Sequence, residues 1–198
     1  MRTGRRKMLI NDSFIHLNYI YNSNYKAYIQ TKLTITDNTR IELVVRIPKY
    51  TEEEINKDNF FAVGFTMRAD PNYIVVGNVQ SNMIYLWTSK QQGNLTTWND
   101  IKSKFVLNMK KKTISWNNAV GNIMMVAGGV IAFGNIWNIY SLKATDRSYY
   151  YGMKVWNGDN LVGNFIPVKR KLDGMIGMYD TIGDEFYTSP NGVAFTGG

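Results

Sequence analysis

The acidic residues of this chain are the first candidates for chemistry, because cleavage of a glycosidic bond needs two carboxyl groups held at a set separation. Glu52, Glu53 and Glu54 form one acidic run, and Asp184 is directly followed by Glu185. Neighbouring residues on a strand point to opposite faces, so Asp184 and Glu185 would not act together on a strand. The chain has no Glu-x-Asp-x-x-Glu spacing, which would aim two carboxylates at one face. We therefore predict no catalytic residues and a protein that is not an enzyme.

Composition limits nucleophilic and metal chemistry. The chain has no cysteine and a single histidine, His16, which excludes disulfides, thiolate metal sites and a cysteine nucleophile. Calcium takes carboxylate and carbonyl oxygens, and Asp173, Asp180 and Asp184 are candidates by residue type alone. Asp173 precedes Gly174, a pair that favours a turn. We predict no metal site and no cofactor, with calcium as the alternative.

The tryptophans could stack on sugar rings. Trp98 stands among polar residues outside any strand pattern, so we expect it to be exposed, and Asn94 and Asn99 lie close to it in sequence. These three residues are the predicted glycan-binding set. The remaining tryptophans lie within strand patterns and are predicted to be core residues: Trp87, Trp116, Trp137 and Trp156.

The formal net charge is +8, and the basic residues are clustered. Two clusters, Lys110–Lys112 and Lys169–Lys171, are typical of solvated turns and strand ends, although a basic patch can also attract a polyanion or an acidic protein. The third cluster precedes the strand pattern, and we interpret residues 1–14 as a basic arm. The predicted attachment residues of that arm are Arg2, Arg5, Arg6 and Lys7.

Short alternating runs separated by Gly, Asn and Asp predict strands along most of the chain. Thr39–Ile47 is a long strand pattern that ends at Pro48, and Lys110–Lys112 is predicted as a hairpin turn. Thr51–Asp58 is the one predicted helix, because Thr51 can cap it and glutamates favour its first turn.

An apolar run, Ile123–Phe133, is shorter than the roughly 18 residues expected of a membrane helix, so we predict buried strands there and no membrane insertion. The basic residues before Met8 are not followed by an apolar segment long enough for a signal peptide.

Both ends of the chain carry a family pattern. Near the start are Tyr19-Ile20, Tyr28–Thr31 and Thr39–Glu42. Near the end are Tyr149–Trp156, Leu161–Lys171, Asp173–Asp180 and Glu185–Thr188. In order and spacing these residues resemble the concanavalin A-like (LamG-like) jelly-roll domains of gut-bacterial surface proteins and of virion proteins from crAss-like phages of Bacteroidetes.

The resemblance implies an all-β jelly-roll sandwich of two antiparallel sheets, here spanning residues 15–198 after the arm. It also implies a virion accessory protein without enzymatic activity: a capsid decoration, head-fibre or tail-associated protein that could attach to host-surface glycans. The expected partners are other virion proteins such as the major capsid protein, host polysaccharide and further copies of the chain. The alternative is a bacterial carbohydrate-binding lectin module.

Overall fold

The computed structural model describes residues 12–22, 27–48, 62–69, 72–78, 83–88, 92–97, 100–134 and 148–198, mostly as backbone alone between 62 and 97. These residues form strands that pair antiparallel throughout. The predicted all-β class is therefore confirmed. The predicted helix at Thr51–Asp58 lies outside the described residues.

The larger sheet has a continuous path of eight strands, and three further short strands pair beside its central strands. In spatial order the eight are β11 (Ala119–Asn122), β10 (Thr113–Trp116), β9 (Ser103–Asn108), β4 (Thr39–Arg46), β13 (Tyr149–Asn157), β14 (Asn160–Arg170), β15 (Ile176–Asp180) and β16 (Glu185–Tyr187). The additional strands are β1 (Phe14–His16), β2 (Ile20–Tyr21) and β17 (Thr196–Gly197).

The smaller sheet has six strands, and its order also mixes early and late segments of the chain. In spatial order they are β3 (Tyr28–Thr34), β12 (Val130–Gly134), β5 (Ala62–Ala69), β6 (Asn72–Asn78), β7 (Met83–Thr88) and β8 (Gln92–Thr97).

One hydrophobic core receives side chains from both sheets. Alternation along β4 buries Ile41, Leu43 and Val45, while Ile29 and Phe133 enter the same cluster from the smaller sheet. Each fully buried side chain of this size contributes about 1.5–3 kcal/mol relative to an exposed one. The two sheets are thus layers of one sandwich-like domain.

The two ends of the described chain meet in the larger sheet. β2 pairs with β17 and also with the start of β13, and β1 pairs with the end of β14. β13 and β14 pair with each other only from Met153 to Asn157 and from Asn160 to Phe165. The segment from β1 to β2 therefore occupies the edges that β13 and β14 leave open, and β2 joins the beginning of the described chain to its end at β17.

Two predicted turns are confirmed. Lys110–Lys112 lies in the turn between β9 and β10. Asp173 and Gly174 lie in the turn between β14 and β15, where Gly174 has a φ of 72°, a conformation that glycine adopts at little cost.

The apolar run differs from its prediction. Only Val130–Gly134 forms a strand; in residues 123–129, outside any strand, Ile123 and Met125 are buried while Met124 and Val126 are exposed. Among the described residues, no helix is both long and apolar enough to cross a membrane.

Candidate binding face of the larger sheet

Most of the residues predicted to form sites lie beyond what the structure describes. Arg2, Arg5, Arg6 and Lys7 precede the first described residue, and Trp98 and Asn99 fall between described segments. Asn94 lies on β8, the edge strand of the smaller sheet, with only its backbone described.

The three aspartates considered for calcium have separate structural roles. Asp173 forms an ion pair with Arg170, and the hydrogen bond between them lowers the pKa of Asp173. Asp180 is buried and accepts hydrogen bonds from the backbone N–H groups of Asn164 and Ile182, at 2.8 and 3.0 Å. Asp184 accepts a hydrogen bond from the hydroxyl of Tyr179. The described residues contain no group of three or more His, Asp or Glu side chains arranged to hold a metal ion.

A groove opens on the side of the larger sheet that faces away from the core; we name this side the outer face. Its volume is about 320 Å³, near the lower end of the roughly 300–1,000 Å³ typical of small-molecule sites. Strands β4, β9, β13 and β14 supply its lining: Glu42, Val44, Lys104, Tyr151, Gly152, Met153, Lys154, Asn164, Phe165 and Ile166. We call this depression the central groove.

A β-bulge shapes the central groove. The register between β13 and β4 shifts between Tyr150 and Gly152, and Gly152 has a φ of 151°. A Cβ atom at Gly152 would lie 3.1 Å from the carbonyl oxygen of Phe165. A bulge bends its strand and redirects side chains, so here it places half-buried Tyr151 beside Gly152 in the lining of the groove.

Four half-buried tyrosines form a cluster beside the central groove. The ring of Tyr149 stacks on Tyr21 at a centroid distance of 4.3 Å and meets Tyr19 edge-on at 5.1 Å. The Tyr19 and Tyr151 centroids are 6.0 Å apart. These separations are those of attractive aromatic pairs, so the cluster is a packed aromatic surface.

Cations lie over these rings. The guanidinium of Arg46 is 5.3 Å from the centroid of Tyr149, and the ammonium of Lys102 is 4.3 Å from that of Tyr151. Both distances fall within the range of cation–π attraction. Arg46 also donates to Asp100 at 2.7 Å, a bond that raises the pKa of Arg46.

Glu42 is the acidic centre of the groove, and its side chain is only 13% exposed. It forms ion pairs with Arg40 and with Lys104, the latter at 2.8 Å. Lys154 lies directly opposite Glu42 in the pairing of β13 with β4. Two cationic side chains thus share the Glu42 carboxylate, and a third lies on the neighbouring strand.

Trp156 corrects one expectation. It was predicted to be a core residue, but it is half-buried and the guanidinium of Arg40 lies 4.7 Å from its ring. The prediction for Trp116 is confirmed, since this residue is only 2% exposed within the core. The side chains of Trp87 and Trp137 are not among those that the structure describes, so their predicted burial stays a prediction.

Sequence reasoning missed the outer face, although part of its signal was present. Three of the four outer-facing residues of β4 are charged, namely Arg40, Glu42 and Arg46, and the fourth is Val44. The bulge in β13 could not be predicted from the pattern, because three consecutive tyrosines do not show which of them are buried and which face outward.

Comparisons with protein-family models, with curated proteins and with solved structures found no match for this chain.

Proposed function

We propose that this chain is a non-enzymatic accessory protein of a phage virion, in which a LamG-like jelly-roll sandwich holds host-surface polysaccharide. One observation supports glycan binding. The central groove lies next to a cluster of tyrosines, and cationic side chains lie over the rings of that cluster. A sugar ring offers an apolar C–H face and a rim of hydroxyl groups. Aromatic rings beside a few polar groups can accept both.

The jelly-roll assignment has support from the order of the strands. Two antiparallel sheets cover one core, and β2 near the beginning pairs with β17 near the end. Double-sheet sandwiches of this kind keep most strand edges paired. Their outer surfaces remain available for ligands.

The virion setting rests on the family resemblance and on the placement of basic residues. β1 pairs with the end of β14, and the backbone N–H of Lys171 donates to the carbonyl of Ser13 at 2.9 Å. The predicted arm residues Arg2, Arg5, Arg6 and Lys7 precede β1 in sequence, and together with the basic Lys169–Lys171 segment they supply positive charge for contact with an acidic capsid protein.

Display in many copies would make weak contacts sufficient. A particle that carries repeated modules gains avidity without strong single-site affinity. Homo-oligomers of the chain would act in the same way. The alternative, a bacterial lectin module, would use the same outer face and differs only in where the protein resides.

Glycan binding is tested by affinity electrophoresis of the full chain in gels that contain host envelope polysaccharide. We expect retardation that is lost in Y151A, because this substitution removes an aromatic wall of the central groove. Y28A serves as a matched control, since Tyr28 is also half-buried but lies on β3 of the smaller sheet. Equal retardation of Y151A and the unmodified chain would contradict the proposed site.

The virion setting is tested by fractionating purified phage particles and measuring this chain by mass spectrometry. We expect many copies per particle, and release from particles when residues 2–7 are deleted. Absence from particles together with presence in the bacterial envelope would favour the lectin alternative.

A further inference from the structure

We infer that the central groove selects acidic polysaccharides, with a sugar carboxylate held by Lys154 and Lys104 and the ring placed against Tyr151. This inference rests on the proposed glycan binding and specifies its ligand class. It is supported by an excess of cationic side chains around the partly buried carboxylate of Glu42.

The charges of the outer face do not balance. Around the groove and the tyrosine cluster the described residues include five cations and two acids, a net charge of plus three: Arg40, Arg46, Lys102, Lys104 and Lys154 against Glu42 and Asp100. Field lines concentrate in a cleft of one charge sign. An anionic ligand is therefore attracted toward the groove.

Lys154 is the cation best placed for a ligand. It is exposed, it lines the central groove, and no described residue forms an ion pair with it. Its neighbours across the strands are Glu42 on β4 and Asn164 on β14. Because Glu42 already receives Arg40 and Lys104, the ammonium of Lys154 remains available to a carboxylate from outside.

Glu42 favours a saccharide over a nucleic acid. Its carboxylate lies in the groove lining. When ionised, a carboxylate accepts hydrogen bonds and cannot donate them. Sugar hydroxyls can donate to it, and an acidic polysaccharide offers several hydroxyl groups for each carboxylate, whereas a nucleic acid backbone carries a phosphate, which only accepts and is repelled, in every unit. A ligand that has both hydroxyl groups and spaced carboxylates therefore fits a groove that contains one acceptor, Glu42, and the cations Lys104 and Lys154.

The test compares matched pairs of polysaccharides in affinity electrophoresis: polygalacturonate against its methyl ester, and alginate and hyaluronan against their carboxyl-reduced forms. We expect retention by at least one acidic polymer and at least a fivefold weaker interaction with its neutral partner. Added salt should weaken the acidic interaction, because exposed charges are screened.

Variants at Lys154 locate the effect. K154Q should weaken binding of the acidic polymer about two- to fivefold, as expected for a partly exposed ion pair, and K154E should weaken it further. The same variants should weaken binding of the neutral partner much less than binding of the acidic polymer. K111Q and K111E are controls, since Lys111 is exposed in the turn between β9 and β10 and does not line the groove.

Three outcomes would overturn the inference. Equal binding of acidic and neutral partners would do so while leaving glycan binding intact. Tighter binding of an oligothymidylate than of any polysaccharide would assign the charges to nucleic acid. Absence of binding to every polymer, host envelope polysaccharide included, would also remove the proposed glycan function.

Discussion

Gly152 shows how a single residue can shape a ligand groove. Its positive φ and its approach to the Phe165 carbonyl both depend on the missing side chain. The bulge at this position separates Tyr151, which lines the groove, from buried Tyr150. A residue with no chemistry of its own thus decides which tyrosine reaches a ligand.

Substitution G152A is expected to destabilise the fold by about 1–3 kcal/mol, because a Cβ atom is strained at this φ and crowds the Phe165 carbonyl. Urea unfolding measures the loss. The control is G158A, where φ is 61° and no atom lies within 4 Å of the added Cβ, so that only backbone strain contributes. A G152A protein as stable as the unmodified chain would show that the bulge tolerates a side chain.

Asn117 has a similar role at the turn between β10 and β11. It adopts a φ of 52°, its side-chain oxygen accepts the N–H of Lys104 at 2.9 Å, and its amide donates to Ser103 at 3.1 Å. Asparagine is among the residues that best tolerate this conformation.

We expect N117A to lower the free energy of unfolding by about 1–3 kcal/mol through strain and lost hydrogen bonds. N117G removes only the bonds and should cost less, so the difference between the variants isolates the backbone strain. Chemical denaturation of both proteins provides the measurement. Equal losses in the two variants would mean that strain contributes nothing.

At the scale of elements, one ion pair joins the two sheets at an open side of the sandwich. Lys32 on β3 donates to Glu185 on β16, and the hydroxyl of Tyr187 donates to the same carboxylate at 2.7 Å. These bonds lower the pKa of Glu185, with Lys32 as the largest cause. Burial first, and then Glu185, raises the pKa of Tyr187.

Because the pKa of Glu185 is lower in the folded state, its contribution to stability is present above the ordinary value of 4.5 and is lost as pH falls through the folded pKa. We expect E185Q to flatten the fall in stability between neutral and acidic pH. The effect is below about 1 kcal/mol, because the Lys32 side chain is 75% exposed.

Urea denaturation at a series of pH values from 7 to 3 checks this effect. K32M should reproduce most of it, and the double variant should add little to E185Q. Additive losses would show that the two residues do not interact.

At the scale of the whole molecule, contact between the sheets is aromatic as well as aliphatic. Phe133 from the smaller sheet meets Tyr150 from the larger one at a centroid distance of 5.4 Å, and both are fully buried. Such pairs add to the stabilisation from burial alone.

Substitution F133A is expected to cost about 3–5 kcal/mol, and F133L serves as a milder variant that should remain folded. Since both sheets share one core, far-UV circular dichroism and tryptophan fluorescence should report the same unfolding midpoint for F133L. Separate midpoints would mean that the sheets unfold independently.

The sequence alone determined the fold class and most strands of the second half. Alternation in Tyr149–Trp156, Leu161–Lys171 and Asp173–Asp180 predicted β13 to β15, and the Asp173-Gly174 and Lys110–Lys112 turns were recognised from local preferences. These features depend on neighbours in sequence, so a linear pattern contains them.

Tertiary structure alone decided the candidate site. Glu42, Lys104, Lys154 and Asn164 are far apart in the chain and meet only because β9, β4, β13 and β14 lie side by side. The bulge at Gly152 depends on cross-strand register, and Trp156 lies outside the core because of it. Strand order and register follow from long-range burial of the shared core, which no local spacing of residues encodes.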